Sequence, residues 1–210
     1  MIILSHRGYW QNPIEKNLPI AFKRSFSLGF GTETDIRDYK GELVISHDIA
    51  NEESIPASLF FELYSQTAIR LPLALNIKSD GLQEKLKLLL EHYKITDYFV
   101  FDMSIPDSLG YLKHGFNVFT RQSEYESDPS FYEQAHGVWL DEFYGHWITK
   151  EIIEEHIKNH KRICIVSPDL HKRDYTNEWV HFKAIEKELG INNLMLCTDY
   201  PEIAKEFFSE

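Results

Sequence analysis

Short β-rich runs alternate with amphipathic segments along the whole chain, and this alternation limits the fold more than any other feature. The β-rich runs are Ile2–Ser5, Thr32–Ile36, Leu73–Ile77, Tyr98–Phe101, Asn117–Thr120, Gly137–Leu140, Arg162–Val166 and Leu194–Cys197. Between and after them lie Pro19–Leu28, Leu59–Ser65, Gly81–Tyr93, Asp107–His114, Ser130–Gln134, Lys150–Asn159, Asn177–Leu189 and Pro201–Phe208. In the third of these, Leu82, Leu86, Leu89 and Leu90 share one stripe, while Lys85, Lys87 and Glu91 fall on other faces. Strand and helix in alternation imply right-handed crossovers and a parallel sheet. Eight such units predict a closed (β/α)8 barrel of the TIM type rather than an open doubly wound α/β sheet. With 210 residues the barrel is compact and its loops are spare.

Hydrophobic residues make up 43% of the chain and aromatics 14%, enough for one sizeable core, so residues 1–210 are expected to form a single domain. No linker, low-complexity tract or charge block divides it. The net charge of −11 argues against nucleic acid as a partner, because affinity for phosphate backbones rests on clustered Lys and Arg. No stretch is long and apolar enough for a transmembrane segment, and Met1–Leu4 meets His6-Arg7 too early for a signal peptide. Cys164 and Cys197 both lie in apolar strand-like runs. Buried free thiols of a cytoplasmic protein are expected rather than a disulfide or a metal site. Oligomeric state is not legible.

In a barrel of this type the active site lies at the C-terminal ends of the strands. The expected ends carry His6-Arg7, Glu33 and Asp35, Asn76 and Lys78, Asp102, Arg121, Asp141, Ser167–His171 and Thr198-Asp199. Any one of these can be a helix cap or an ion-pair partner; together they are harder to dismiss. Glu33 and Asp35 are two apart on a strand and therefore face the same way. Two carboxylates side by side repel, and a hard divalent cation, Mg²⁺ or Ca²⁺, is the economical way to relieve them. A turn at Tyr39–Glu42 then sends the chain back through Leu43–Ser46 and delivers His47 and Asp48 near that strand's end. A solvated strand edge with a chance His-Asp pair is the alternative.

His6-Arg7-Gly8, Glu15 followed by Asn17, Ala21-Phe22, Glu33-x-Asp35 and His47-Asp48, in that order, resemble the glycerophosphodiester phosphodiesterase family. That family belongs to the phospholipase C-like (PLC-like) phosphodiesterase TIM-barrel superfamily. The resemblance is specific over residues 2–48 and continues loosely through Leu75–Lys78 and Thr198–Pro201. It implies that His6 and His47 are the general acid and base of a phosphoric diester hydrolase. It further implies that Glu33, Asp35 and position 76 hold a divalent metal, and that Arg7 and Lys78 sit on the phosphate. The residue types suit the chemistry. Two imidazoles near neutral pKa can deprotonate a nucleophile and protonate a leaving alkoxide, while cations neutralise the non-bridging oxygens. A small phosphodiester is the implied substrate, glycerophosphodiesters of lipid metabolism first.

The departures from the family pattern matter too. The third metal carboxylate is here Asn76, whose amide oxygen brings no charge; Asp102 on the next strand is expected to supply it. Glu-Asn-Thr has become Glu15-Lys16-Asn17, and Glu15 is expected near His6 as an orienting partner. Ser167–Arg173 replaces an aromatic-Asn pattern, either to read an unusual substrate group or merely to cap the next helix. Arg121 is a candidate phosphate or sugar ligand. Asp199 either assists the site or serves the turn before Pro201. Tyr9 and Trp10 line the pocket mouth or pack in the core. His92, His114, His136, His146, His156, His160 and His181 read as surface or capping groups. Two further functions stay open: a phosphodiesterase for sugar- or nucleotide-linked diesters in polysaccharide or glycolipid metabolism, and a non-catalytic barrel that binds a phosphorylated ligand or a partner protein.

Overall fold

Each expected β-rich run forms a strand in the computed structural model, which describes residues 1–68 and 70–209. Eight parallel strands, β1 (Ile2–His6), β2 (Gly31–Tyr39), β5 (Leu73–Ile77), β6 (Tyr98–Phe101), β7 (Phe119–Ser123), β8 (Gly137–Asp141), β9 (Arg162–Val166) and β10 (Met195–Thr198), follow one another in barrel order. β1 pairs with both β2 and β10, so the first and last barrel strands are neighbours. The seam lies between β6 and β7. It carries a bridge, Val100 to Val118, with the Val100 N–H donating to the Asn117 carbonyl at 2.9 Å, in place of a ladder. The architecture is a compact α/β barrel of the TIM type.

Two short strands lie outside the eight: the return through Leu43–Ser46 forms the expected antiparallel partner of β2, and a further strand that the sequence does not announce pairs with it. β2 runs on past the barrel rim to Tyr39 and turns into the antiparallel β3 (Glu42–Ile45), which pairs with the short β4 (Ile55–Pro56). Seven α-helices are described: α1 (Pro19–Ser27), α2 (Ala57–Ser65), α3 (Gln83–His92), α4 (Ile105–Lys113), α5 (Lys150–Lys158), α6 (Thr176–Leu189) and α7 (Pro201–Ser209). The helix expected at Ser130–Gln134 is a turn instead. Five residues cannot repay helix nucleation unless packing helps, and none of them is buried. The outer helices cover the barrel in two apolar clusters. One sets Phe22, Phe60, Phe61 and Leu86 against β2 and β5; the other sets Ile153, Trp179 and Phe182 against β8 to β10.

Inside the barrel the period-two alternation stacks side chains in layers. The lower inward positions are apolar: Leu4, Ala74, Phe99, Phe119, Trp139, Cys164 and Met195. Phe99 stacks on Phe119 at 3.9 Å, and Phe101 stacks on Trp139 at 4.1 Å. One step up, the same faces carry His6, Asn76, Arg121 and Asp141. The apolar floor thus fixes the height at which polar groups begin. Cys164 and Cys197 are free thiols within that floor, and burial holds both well above the usual thiol range.

Gly137 marks how closely the floor is packed. A Cβ there would lie 2.4 Å from the Phe119 ring and 2.5 Å from the Arg162 carbonyl. Gly137→Ala is therefore expected to destabilise the protein by about 1–3 kcal/mol, because neither backbone nor ring can yield freely. An unchanged midpoint in urea would show that the floor is looser than described.

Candidate active site

Arg7 and Gly8 leave β1 with left-handed backbones, at φ 58° and 80°. Gly8 has no alternative, since a Cβ there would meet the Ala21 backbone at 2.9 Å, where the Tyr9 N–H donates to the Ala21 carbonyl. This turn throws Arg7 back over the strand ends. Its backbone N–H donates to Glu33 Oε2 at 3.1 Å, and its Nε lies 3.1 Å from Asp35 Oδ2. Asp35 is wholly buried. It also accepts from Asn17 Nδ2 at 2.8 Å and faces Lys78 Nζ at 3.4 Å. Asn17, itself left-handed at φ 60°, is held in turn by the Thr34 hydroxyl, which donates to its Oδ1 at 2.9 Å.

Glu33, Asp35 and Asn76 share a face, and Asp35 and Asn76 are register partners across β2 and β5. Burial first, then the Asp35 charge, pushes the Glu33 carboxyl up to about 8. Asp35 Oδ1 and Asn76 Oδ1 are buried with no hydrogen-bond donor. Three oxygen side chains, one with an oxygen that accepts nothing, one with an oxygen that only Lys78 approaches and one whose burial favours the protonated acid, fit a hard divalent cation.

His6 lies beside them. Its Nδ1 is 2.7 Å from Asp199 Oδ1, and its Nε2 is 3.9 Å from Glu33 Oε2. Burial lowers the imidazole pKa, against the raising effect of the Asp199 hydrogen bond, so the neutral ring is favoured near pH 7. Burial alone would raise the Asp199 carboxyl, but His6 and then Lys16, 3.4 Å away, hold it below the usual carboxylate range. The orienting partner of His6 is therefore Asp199 and not Glu15. Glu15 accepts instead from Arg24 and from the Gln11 N–H, both at 2.8 Å. Lys16, the next residue, is the one that reaches the His6 partner, with its Nζ 3.4 Å from Asp199 Oδ2. Asp102, expected to add charge beside Asn76, spends it on Arg121, with which it forms a close ion pair.

A cavity of about 230 Å³ opens at these strand ends, lined among others by His6, Arg7, Glu33, Asn76, Arg121 and His171. His47 is elsewhere. It lines an adjoining cavity of about 440 Å³ with Lys16, Asn17 and Asp48, and Arg7 lines both. Its Nδ1 is 2.8 Å from Asp48 Oδ1, and its side chain is 44% exposed. The structure thus joins His6, Glu33, Asp35, Arg7 and Lys78 in one network with Asn76 in register beside Asp35, and places His47 in the adjoining cavity that shares Arg7. Tyr9 packs on Phe30 and bonds Glu202, and Trp10 lies under Lys16; neither lines the cavity.

Two groupings are not legible in the sequence, although Asp141 and Ser167–His171 stand among the expected strand ends. His171 Nε2 lies 2.6 Å from Asp141 Oδ1 inside the same cavity as His6. Glu142, His146 and Glu178 bring ligand atoms within 4.8 Å of one another. Arg173 already sits 2.8 Å from Glu178, and Glu142 Oε1 accepts the N–H groups of Trp147 and Ile148, so this group pins a loop. His156, expected at the surface, is buried between Tyr132 and Gln122, 2.8 Å from each.

No protein-family model matches the chain, and no curated protein is similar to it in sequence. Solved structures are similar in fold. A glycerophosphodiester phosphodiesterase from Agrobacterium tumefaciens superposes with a TM-score of 0.64 at 16% identity, covering 100% of both chains. A glycerophosphoryl diester phosphodiesterase from Parabacteroides distasonis gives 0.67 at 15%, over 99% of this chain and 86% of that one. An N-(5'-phosphoribosyl)anthranilate isomerase from Pyrococcus furiosus gives 0.52 at 11%, over 100% and 97%. The chain has the barrel fold shared by these enzymes, whose differing names show that the fold alone does not choose the chemistry.

The Glu33 shift has a measurable consequence. Its folded-state pKa lies above the unfolded one, so its contribution is complete below about 4.5 and is lost as pH rises through about 8. In chelator, the melting temperature is expected to fall between pH 5 and 8.5, whereas Glu33→Gln, which mimics the protonated acid, stays flatter. Identical slopes in the two proteins would remove Glu33 from the account.

Proposed function

We propose that this protein is a divalent-cation-dependent phosphodiesterase, with residues 1–210 acting as one unit on a small phosphodiester, glycerophosphodiesters first. The observation that carries this reading is the cavity itself. An oriented imidazole, a guanidinium and three buried oxygen side chains meet at the end of the barrel where such folds do chemistry. Glu33, Asp35 and Asn76 would hold the cation, which supplies positive charge to the non-bridging phosphoryl oxygens.

The protein groups have separate tasks. Arg7 and Lys78, both fixed by Asp35, present positive charge to the phosphoryl group without having to reorganise. His6 is neutral and oriented by Asp199, so its Nε2 is free to take the proton of the attacking hydroxyl, from water or from the substrate itself. The Asp102–Arg121 pair marks the opposite wall. A diester linked to a sugar is the second reading, favoured by Phe143, which lines the cavity beside Arg121 and offers a ring face. Buried free thiols suit a reducing compartment, and we place the protein in the cytoplasm.

Purified protein is expected to turn over one or more members of a panel of glycerol, sugar and nucleotide phosphodiesters with Mg²⁺ or Ca²⁺ present. His6→Gln is expected to lower kcat by about 10²–10⁴-fold while leaving the melting temperature near wild type. Saturable binding of these diesters with no turnover by wild type would instead favour a binding barrel.

A further inference from the structure

Hydrolysis of an unactivated diester needs a proton for the leaving alkoxide as well as a base for the nucleophile, and His6 can serve only one of these at a time. The cavity that holds His6 contains a second imidazole on a buried carboxylate. His171 ends the 3-10 turn Pro168–His171 that follows β9, and its Nε2 is 2.6 Å from Asp141 Oδ1 at the top of β8. The Asp141 side chain is 6% exposed. Nδ1 of His171 has no hydrogen-bond partner among the described residues and is the ring nitrogen left for a substrate. The pair repeats the His6–Asp199 arrangement with the two ring nitrogens exchanged.

The two pairs also share a frame. Asp169, on the same turn as His171, accepts from the Thr198 hydroxyl at 3.0 Å and from the Asp199 N–H at 2.8 Å. The turn is fixed from below as well, where Trp179 Nε1 donates to Ser167 Oγ at 2.9 Å. Phe143 packs on the His171 ring at 4.7 Å. His47 is paired only with the exposed Asp48 and lines the adjoining cavity, which shares Arg7 with this one.

We infer that His171, positioned by Asp141, is the general acid that protonates the leaving group, an inference that rests on the phosphodiesterase reading above. As the nucleophile oxygen bonds to phosphorus, its proton passes to His6 Nε2. The phosphorus–oxygen bond to the leaving group breaks, and the proton on His171 Nδ1 passes to the departing oxygen. His6 ends protonated and His171 neutral, and both reset by exchange with solvent.

Leaving-group dependence tests this directly. Glycerol ethyl phosphate needs its alkoxide protonated, whereas glycerol p-nitrophenyl phosphate departs as a stable phenolate. His171→Gln is expected to lower kcat on the ethyl ester by about 10²–10⁴-fold and on the nitrophenyl ester by less than about tenfold. Asp141→Asn is expected to show the same selectivity with a smaller loss. Retained nitrophenyl turnover reports that the variants are folded. Equal loss on both esters, or selective loss in His47→Gln instead, would overturn the assignment while leaving the phosphodiesterase reading intact. Wild type that turns over neither ester would remove both.

Discussion

A carboxylate with no access to water sits at the centre of this molecule. Removing Asp35 from solvent costs several kcal/mol unless its charge is met, and here it is met from three directions by Arg7, Asn17 and Lys78. Each partner arrives on a different piece of chain: the turn after β1, the loop before α1 and the end of β5. Two of them reach it from left-handed backbones, Arg7 and Asn17, and that geometry is stable only because the interaction repays it. The Asp35 network therefore sets the path of the first loop. It also leaves Glu33 as the carboxylate with too little positive charge around it, held protonated up to about pH 8.

The rest of the barrel fixes where that imbalance lies. Phe99, Phe119, Phe101 and Trp139 fill the interior below, so polar side chains emerge at one common height. β2 and β5 contribute oxygens and β7 a guanidinium, while the ends of β1 and β10 and of β8 and β9 contribute two imidazole–carboxylate pairs tied together through Asp169. The wall near the β6–β7 seam differs. The bridge there and the helix-free connection from β7 to β8 leave room for a further cavity of about 250 Å³ lined by Asp102 and Arg121.

What was legible in the sequence was what local pattern dictates. Strands with two apolar neighbours, such as Leu73–Ile77 and Arg162–Val166, formed with the expected bounds because their composition and their burial agree. The expectation at Asn117–Thr120 slipped towards Ser123, since Thr120 to Gln122 are polar and pair with β8 all the same. The inward pair Glu33 and Asp35 was readable from spacing. The partners of His6 and of His171 were not, since Asp199 is 193 residues from His6 and Asp141 is 30 from His171. Glu15 does not reach His6 because Arg24 and the Gln11 N–H hold its carboxylate, partners that loop order does not reveal. Asp102 was assigned to Asn76 from strand order, which cannot register that Arg121 competes for the same carboxylate.

In the proposed reading Glu33, Asp35 and Asn76 hold a cation, and a proton on Glu33 takes its place when none is bound. Calorimetric titration of chelated protein with Mg²⁺ or Ca²⁺ at pH 7, in two buffers of different ionisation enthalpy, reads this most directly. Filling the seat must ionise Glu33, so the account expects one ion bound and close to one proton released to buffer, with the release absent in Glu33→Gln. Binding without proton release, or no binding up to millimolar ion, would contradict it.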